Sequence, residues 1–98
     1  MDELRFSWDP RKAKSNLRKH GVSFEEAETV FFDEHAVLID DPESSATEDR
    51  FVLLGLGIRP RVLVVCHCLR EDGQVIRIIS ARRANKSEER EYWERVRR

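Results

Sequence analysis

Trp8-Asp-Pro-Arg-Lys-Ala-Lys-Ser-Asn-Leu-Arg-Lys-His-Gly-Val-Ser-Phe24 holds one complete helix, both of its stop signals and the start of a second helix. Asp9 is placed to cap the first helix, and Pro10 suits its first position, where a missing N–H costs nothing. Gly21 suits the left-handed residue that ends it. Ser23 and Glu26 form a Ser-x-x-Glu capping box for the next helix, with Val22 and Ala27 as its hydrophobic staple. Lys12, Asn16, Lys19 and His20 lie between these signals. At about 100° per residue they share one arc of the helix, roughly 100° wide. Two cations, an amide and an imidazole on one face suit a phosphate ligand; the competing reading is a solvated helix face.

The remaining elements read outward from this pair. Leu4 to Trp8 alternates apolar and polar residues, as a first strand does. Helix one spans about Pro10–His20. Helix two spans about Phe24–Phe32, with Phe24, Ala27 and Phe31 on its buried face. Strands follow at Ala36–Asp40, Phe51–Gly57, Val62–Leu69 and Val75–Ala81. Asp41–Asp49 is a polar loop, Arg59-Pro60-Arg61 a turn and Glu71-Asp72-Gly73 a hairpin turn. A last helix runs from about Lys86 to Val96, with Asn85 and Glu88 as a capping pair. The order is β-α-α-β-β-β-β-α. Three short connections join the last four strands into an antiparallel meander. This is an α+β chain with a helical pair packed on one face of a mostly antiparallel sheet, and the other face is left partly open.

Ninety-eight residues, 40% of them apolar, can build one modest core, so one domain spanning 1–98 is expected. No apolar run is long enough to span a membrane, and the first residues lack the order of a secretory signal, which points to the cytoplasm. Cys66 and Cys68 are poorly placed to bond to each other, and with one nearby histidine they make no metal site. The net charge of −1 conceals a partition. Residues 1–20 carry six Lys/Arg and three Asp/Glu, residues 21–49 carry none and ten, and residues 50–98 carry twelve and six. A basic surface apart from an acidic one keeps nucleic acid available as a partner despite the neutral total.

Strand alternation sorts the later residues. In the fourth strand, Leu63, Val65, His67 and Leu69 share a face, with Val62, Val64, Cys66 and Cys68 on the other. In the fifth, Val75, Arg77, Ile79 and Ala81 share one face; Ile76, Ile78 and Ser80 share the other, with Arg82 beyond them. Arg77 interrupts an apolar run, so it reaches an open face or pairs with a carboxylate such as Asp40. The final helix has a sparse apolar face, with Tyr92, Trp93 and Val96 as its large apolar or aromatic residues. A helix this polar is loosely docked or awaits a partner, and Tyr92 and Trp93 are its candidate anchors.

Trp8 to Ala27, W-D-P-x-K-x-x-x-N-x-x-K-H-G-V-S-F-E-E-A, resembles the opening of the BrnT family, toxins of bacterial type II toxin–antitoxin pairs. Val75-Ile-Arg-Ile-Ile-Ser-Ala-Arg-Arg-Ala84 resembles the end of that family's last core strand. Glu88, Arg90 and Tyr92 match its following helix, and Arg50 and Gly55 fit the pattern between. The resemblance covers nearly the whole chain. It implies a small RelE-like fold, ribonuclease activity that blocks translation, no cofactor, and a cognate BrnA-like antitoxin through which DNA is met only indirectly. A homodimer or a larger toxin–antitoxin assembly is compatible with it.

A metal-independent ribonuclease must take a proton from the ribose 2′-OH, stabilise charge on the phosphate and protonate the departing oxygen. Histidine suits proton transfer near neutral pH, and arginine holds phosphate bidentately. The candidate catalytic set is therefore Arg82, Arg77, His67, Lys12 and Arg50. Lys19, His20, Asn16 and Arg83 are candidates for RNA binding, with no metal ligand among them. The bland alternatives are a His20 that caps helix carbonyls and a His67 satisfied within the core. A non-catalytic RNA- or protein-binding module that keeps the fold is the rival reading. A DNA-binding regulator is weaker, since no recognition-helix signal is present.

Overall fold

The computed structural model describes residues 4–40, the last by its backbone alone, and 50–97. The expected polar loop from Asp41 to Asp49 lies outside the described residues, as does the side chain of Asp40. The elements are β1 (Arg5–Ser7), α1 (Pro10–His20), α2 (Phe24–Thr29), a 3-10 turn (Val30–Phe32), β2 (Val37–Asp40), β3 (Phe51–Leu56), β4 (Val62–Arg70), β5 (Val75–Arg83) and α3 (Lys86–Val96). This is the order expected from the sequence. The difference lies in helix two, whose last turn tightens into the 3-10 form. Thr29 closes it by donating its hydroxyl to the Glu26 carbonyl at 2.6 Å.

The capping signals act as read. Asp9 accepts from the Arg11 N–H at 2.8 Å. Gly21 adopts φ 69° and donates its N–H to the Leu17 carbonyl, a conformation that favours a residue without Cβ. Ser23 accepts from the Glu26 N–H at 3.0 Å, while Val22 and Ala27 are both fully buried. The box at Ser23 is nevertheless half-formed. The Glu26 carboxylate turns away to take two hydrogen bonds from Arg61 on the β3–β4 turn. Arg61 also donates to the Gly21 carbonyl at 3.0 Å, so one half-buried ion pair joins α1, α2 and the sheet. The box at Asn85 and Glu88 is complete.

The sheet order is β1-β5-β4-β3-β2. β2 to β5 form the antiparallel meander, and β1 joins the far edge parallel to β5. One face packs against α1, α2 and the 3-10 turn through Val22, Phe24, Ala27, Val30, Leu53, Leu63, Val65, Ile78 and Ala81. Gly55 allows the close approach of that layer, since a Cβ there would meet a Val30 methyl at 2.8 Å. α3 covers part of the other face, with Tyr92 and Val96 against Val37, Leu54, Val62 and Val64. Among the described residues no helix is long and apolar enough to cross a membrane.

Candidate active site

Strict alternation puts Arg77 and Arg82 on opposite faces of β5, since they are five residues apart. The structure corrects this with a β-bulge. Cys66 pairs with Ser80, but His67 pairs with Ile78, so Ile79 is the extra residue. Bulges re-aim side chains in this way. Ile78 and Ala81 now both face the helical layer. Arg77, opposite Cys68, and Arg82, opposite Val64, come onto the same face, with Ser80 between them opposite Cys66. Arg50 directly precedes β3, and β3's alternation continued one residue back puts it on that face too. Arg83 is exposed at the strand end, opposite Leu63, and so belongs by alternation to the other side.

Helix α1 lies along the edge of β5. Lys12, Ser15, Asn16, Lys19 and His20 form one wall of an open groove of about 190 Å³, and Ile79 and Ser80 form the other. The helical face identified in the sequence thus meets β5 between Arg77 and Arg82. Asn16, expected as an RNA contact, lines this groove but its amide is engaged within the fold. It is 7% exposed, its Nδ2 donates to the carbonyls of Val22 and Ala81, and its Oδ1 accepts from the Ala81 N–H. With its amide so engaged, little of Asn16 is left for a ligand.

Arg82 is half-exposed and donates through both terminal nitrogens to the Glu88 carboxylate, each at 2.9 Å. Glu88 also accepts from the Asn85 N–H at 2.9 Å. These bonds, from Arg82 first and then from the Asn85 backbone, hold the Glu88 carboxyl below its ordinary range against the opposing effect of burial. The guanidinium is correspondingly fixed in its charged form. Nη1 also donates to the Arg83 carbonyl at 3.2 Å, so Arg82 is an oriented cation whose charge Glu88 balances, and among the described residues its Nε and one Nη2 hydrogen are left for a ligand.

Two other expected site residues lie elsewhere. His67 is 4% exposed and sits edge-on to Phe31 and tilted against Phe51. Burial lowers its pKa, opposed by a hydrogen bond between Nδ1 and the Val65 carbonyl. It belongs to the face opposite Arg77 and Arg82, so the sheet separates it from them. Tyr92, expected as an exposed anchor, is 2% exposed. Its hydroxyl donates to Asp33 Oδ2, which also accepts from the Leu56 N–H at 2.8 Å. The neighbouring Trp93 stays 39% exposed. Asp33 and Arg61 escaped the sequence reading because their partners lie far along the chain, where no local pattern announces them.

Residues 8–88 match the family described as "Ribonuclease toxin, BrnT, of type II toxin-antitoxin system". The chain belongs to the BrnT family. Among solved structures, the 1.1 Å crystal structure of the Brucella abortus ribonuclease toxin BrnT matches with a TM-score of 0.67 and 22% identity, covering 86% of this chain and 100% of that one. That likeness is one of fold. No curated protein sequence matches the chain. A BrnT toxin acts on RNA and has an antitoxin partner, so the basic face and groove are the natural place to look for both.

Proposed function

We propose that this BrnT toxin is a metal-independent endoribonuclease whose substrate lies across the face of Arg77, Ser80 and Arg82 and into the α1 groove, and that its cleavage inhibits translation in the cytoplasm. The observation that carries this is the bulge at Ile79, which puts Arg77 and Arg82 on one face with Ser80, itself on the wall of the groove that Lys12, Lys19 and His20 line. Arg82, already oriented by Glu88, takes the scissile phosphate, with Arg77 and Arg50 extending the cationic row. Lys12 and Lys19 supply attraction along the RNA backbone. Acid–base groups contribute typically ~10²–10⁴-fold, and histidine is the usual carrier. His67 is walled off, and His35 sits beside Glu34 on the surface. His20 lines the groove, which makes it the group to exchange protons with the 2′-OH or the departing oxygen. A cognate DNA-binding antitoxin neutralises the toxin by covering this surface.

The deciding experiment is to incubate the pure protein with RNA and to analyse the ends. Fragments ending in 2′,3′-cyclic phosphate are expected, and a His20→Ala variant should cleave ~10²–10⁴-fold more slowly. RNA that is bound but left intact would make the chain a non-catalytic binding module.

A further inference from the structure

We infer that Asn16 is a positioning residue for the RNA site, locking α1 to the bulged segment of β5 so that the helix cations and Arg82 stand in one fixed frame. The inference rests on the reading of the basic face as the RNA site. β1 ends at Ser7, opposite Arg77, whereas β5 continues to Arg83. Beyond Arg77 the edge of β5 therefore has no strand beside it among the described residues. At Ala81 the Asn16 carboxamide takes the place of the missing strand. Its Oδ1 accepts the Ala81 N–H at 3.1 Å and its Nδ2 donates to the Ala81 carbonyl at 2.8 Å. The second Nδ2 hydrogen goes to the Val22 carbonyl at 2.9 Å, just past the helix end.

Position explains why this bond matters to the site. Lys12, Lys19 and His20 stand at −4, +3 and +4 from Asn16, so they flank it on the same side of the helix. Ala81 lies between Ser80, on the groove wall, and Arg82. The link from Lys12 to Arg82 thus runs through one helix turn, one buried amide and one peptide unit. An unlocked edge would let α1 shift against β5. Displacements of about 1 Å far from the chemistry can cost on the order of 10²-fold in rate.

The test is a double-mutant cycle between Asn16 and Lys12, with cleavage expressed per folded molecule. Asn16→Ala should slow cleavage about 10–100-fold, and Lys12→Ala should then add much less than it does alone, because residues coupled through one element are not additive. Asn16→Asp, which keeps the acceptor for Ala81 and loses both donations, should behave alike and serves if Asn16→Ala does not fold. The Ala81 amide should exchange slowly in the native protein and rapidly in Asn16→Ala, whereas Asn16→Asp keeps its acceptor. An unchanged rate per folded molecule, losses that simply multiply, or retained protection at Ala81 in Asn16→Ala would overturn the inference. A Lys12→Ala variant with native RNA affinity and cleavage would instead overturn the RNA-face reading beneath it.

Discussion

Arg82 has two roles for a single guanidinium. It anchors Glu88, and through Glu88 the first turn of α3, and it presents a charge at the end of β5. Removing a preorganised donor of transition-state charge typically costs ~10²–10³ in rate. Arg82→Ala should lose cleavage by that order while the sheet stays folded, and Arg82→Lys should recover only part because a point charge cannot hold phosphate bidentately. Circular dichroism and single-turnover cleavage check both, and an Arg82→Ala enzyme at the native rate would remove Arg82 from the site. His67 makes a different prediction. Its folded pKa lies below the ordinary 6.5 because burial disfavours the cation. Between the two values the unfolded chain binds the extra proton, so stability is complete above about pH 6.5 and declines as pH falls below it. His67→Gln should flatten that decline in urea titrations and leave the pH dependence of cleavage untouched. A cleavage limb that vanished with His67 would return it to the catalytic set.

At the scale of elements, what was legible was local. Asp9, Pro10 and Gly21 set α1, and Asn85 with Glu88 set α3, because caps act over three or four residues. The alternation of β4 correctly sorted His67 away from Cys66. The bulge was not legible. Nothing in Val75-Ile-Arg-Ile-Ile-Ser-Ala-Arg-Arg marks Ile79 as the extra residue, and the choice is made by Ile78 and Ala81 both docking on the helical layer. Tyr92 is buried for a related reason: the helix looks sparse in isolation, yet Tyr92 and Val96 pack on the sheet and the Tyr92 hydroxyl reaches the distant Asp33 carboxylate. Burial raises the pKa of Asp33, but the donors from Leu56, Tyr92 and His35 outweigh it and leave the carboxyl below its usual 3.8. Its contribution to stability is therefore present above that value and lost as pH falls through the folded pKa. Tyr92→Phe removes one of those donors and keeps the ring. It should destabilise the fold by about 1.5–3 kcal/mol, the usual worth of a hydrogen bond to a charged group. The loss should be largest near neutral pH and shrink as the carboxyl protonates. Urea midpoints at pH 7 and at low pH measure it; equal losses at both would mean that the ring's packing, not the bond, holds α3.

The whole molecule separates its charges along the chain. The cations of residues 1–20 and 50–98 supply the groove and the β5 face, while residues 21–49 carry ten Asp/Glu and no Lys/Arg. An antitoxin has two surfaces to engage. One is the basic face of Arg50, Arg77 and Arg82, where an acidic segment would exclude RNA by occupancy. The other is α3, where Tyr92 is committed to the core and Trp93 remains partly exposed. Occupying the first would block RNA directly, whereas an antitoxin bound only through α3 would leave the cationic surface open. Calorimetry with the cognate antitoxin separates them. Arg50→Glu with Arg77→Glu should weaken the complex and make its affinity less sensitive to salt, since charge pairing at an interface is screened. Trp93→Ala should cost up to ~2 kcal/mol if the exposed indole is an anchor, and nothing measurable otherwise. The same arginine variant should bind RNA more weakly with a shallower salt slope, as each lost phosphate contact releases fewer counterions. Parallel losses toward RNA and antitoxin identify one shared surface. An antitoxin that binds the arginine variant with native affinity would have to neutralise the toxin from elsewhere, by distorting the frame that Asn16 and the bulge hold together.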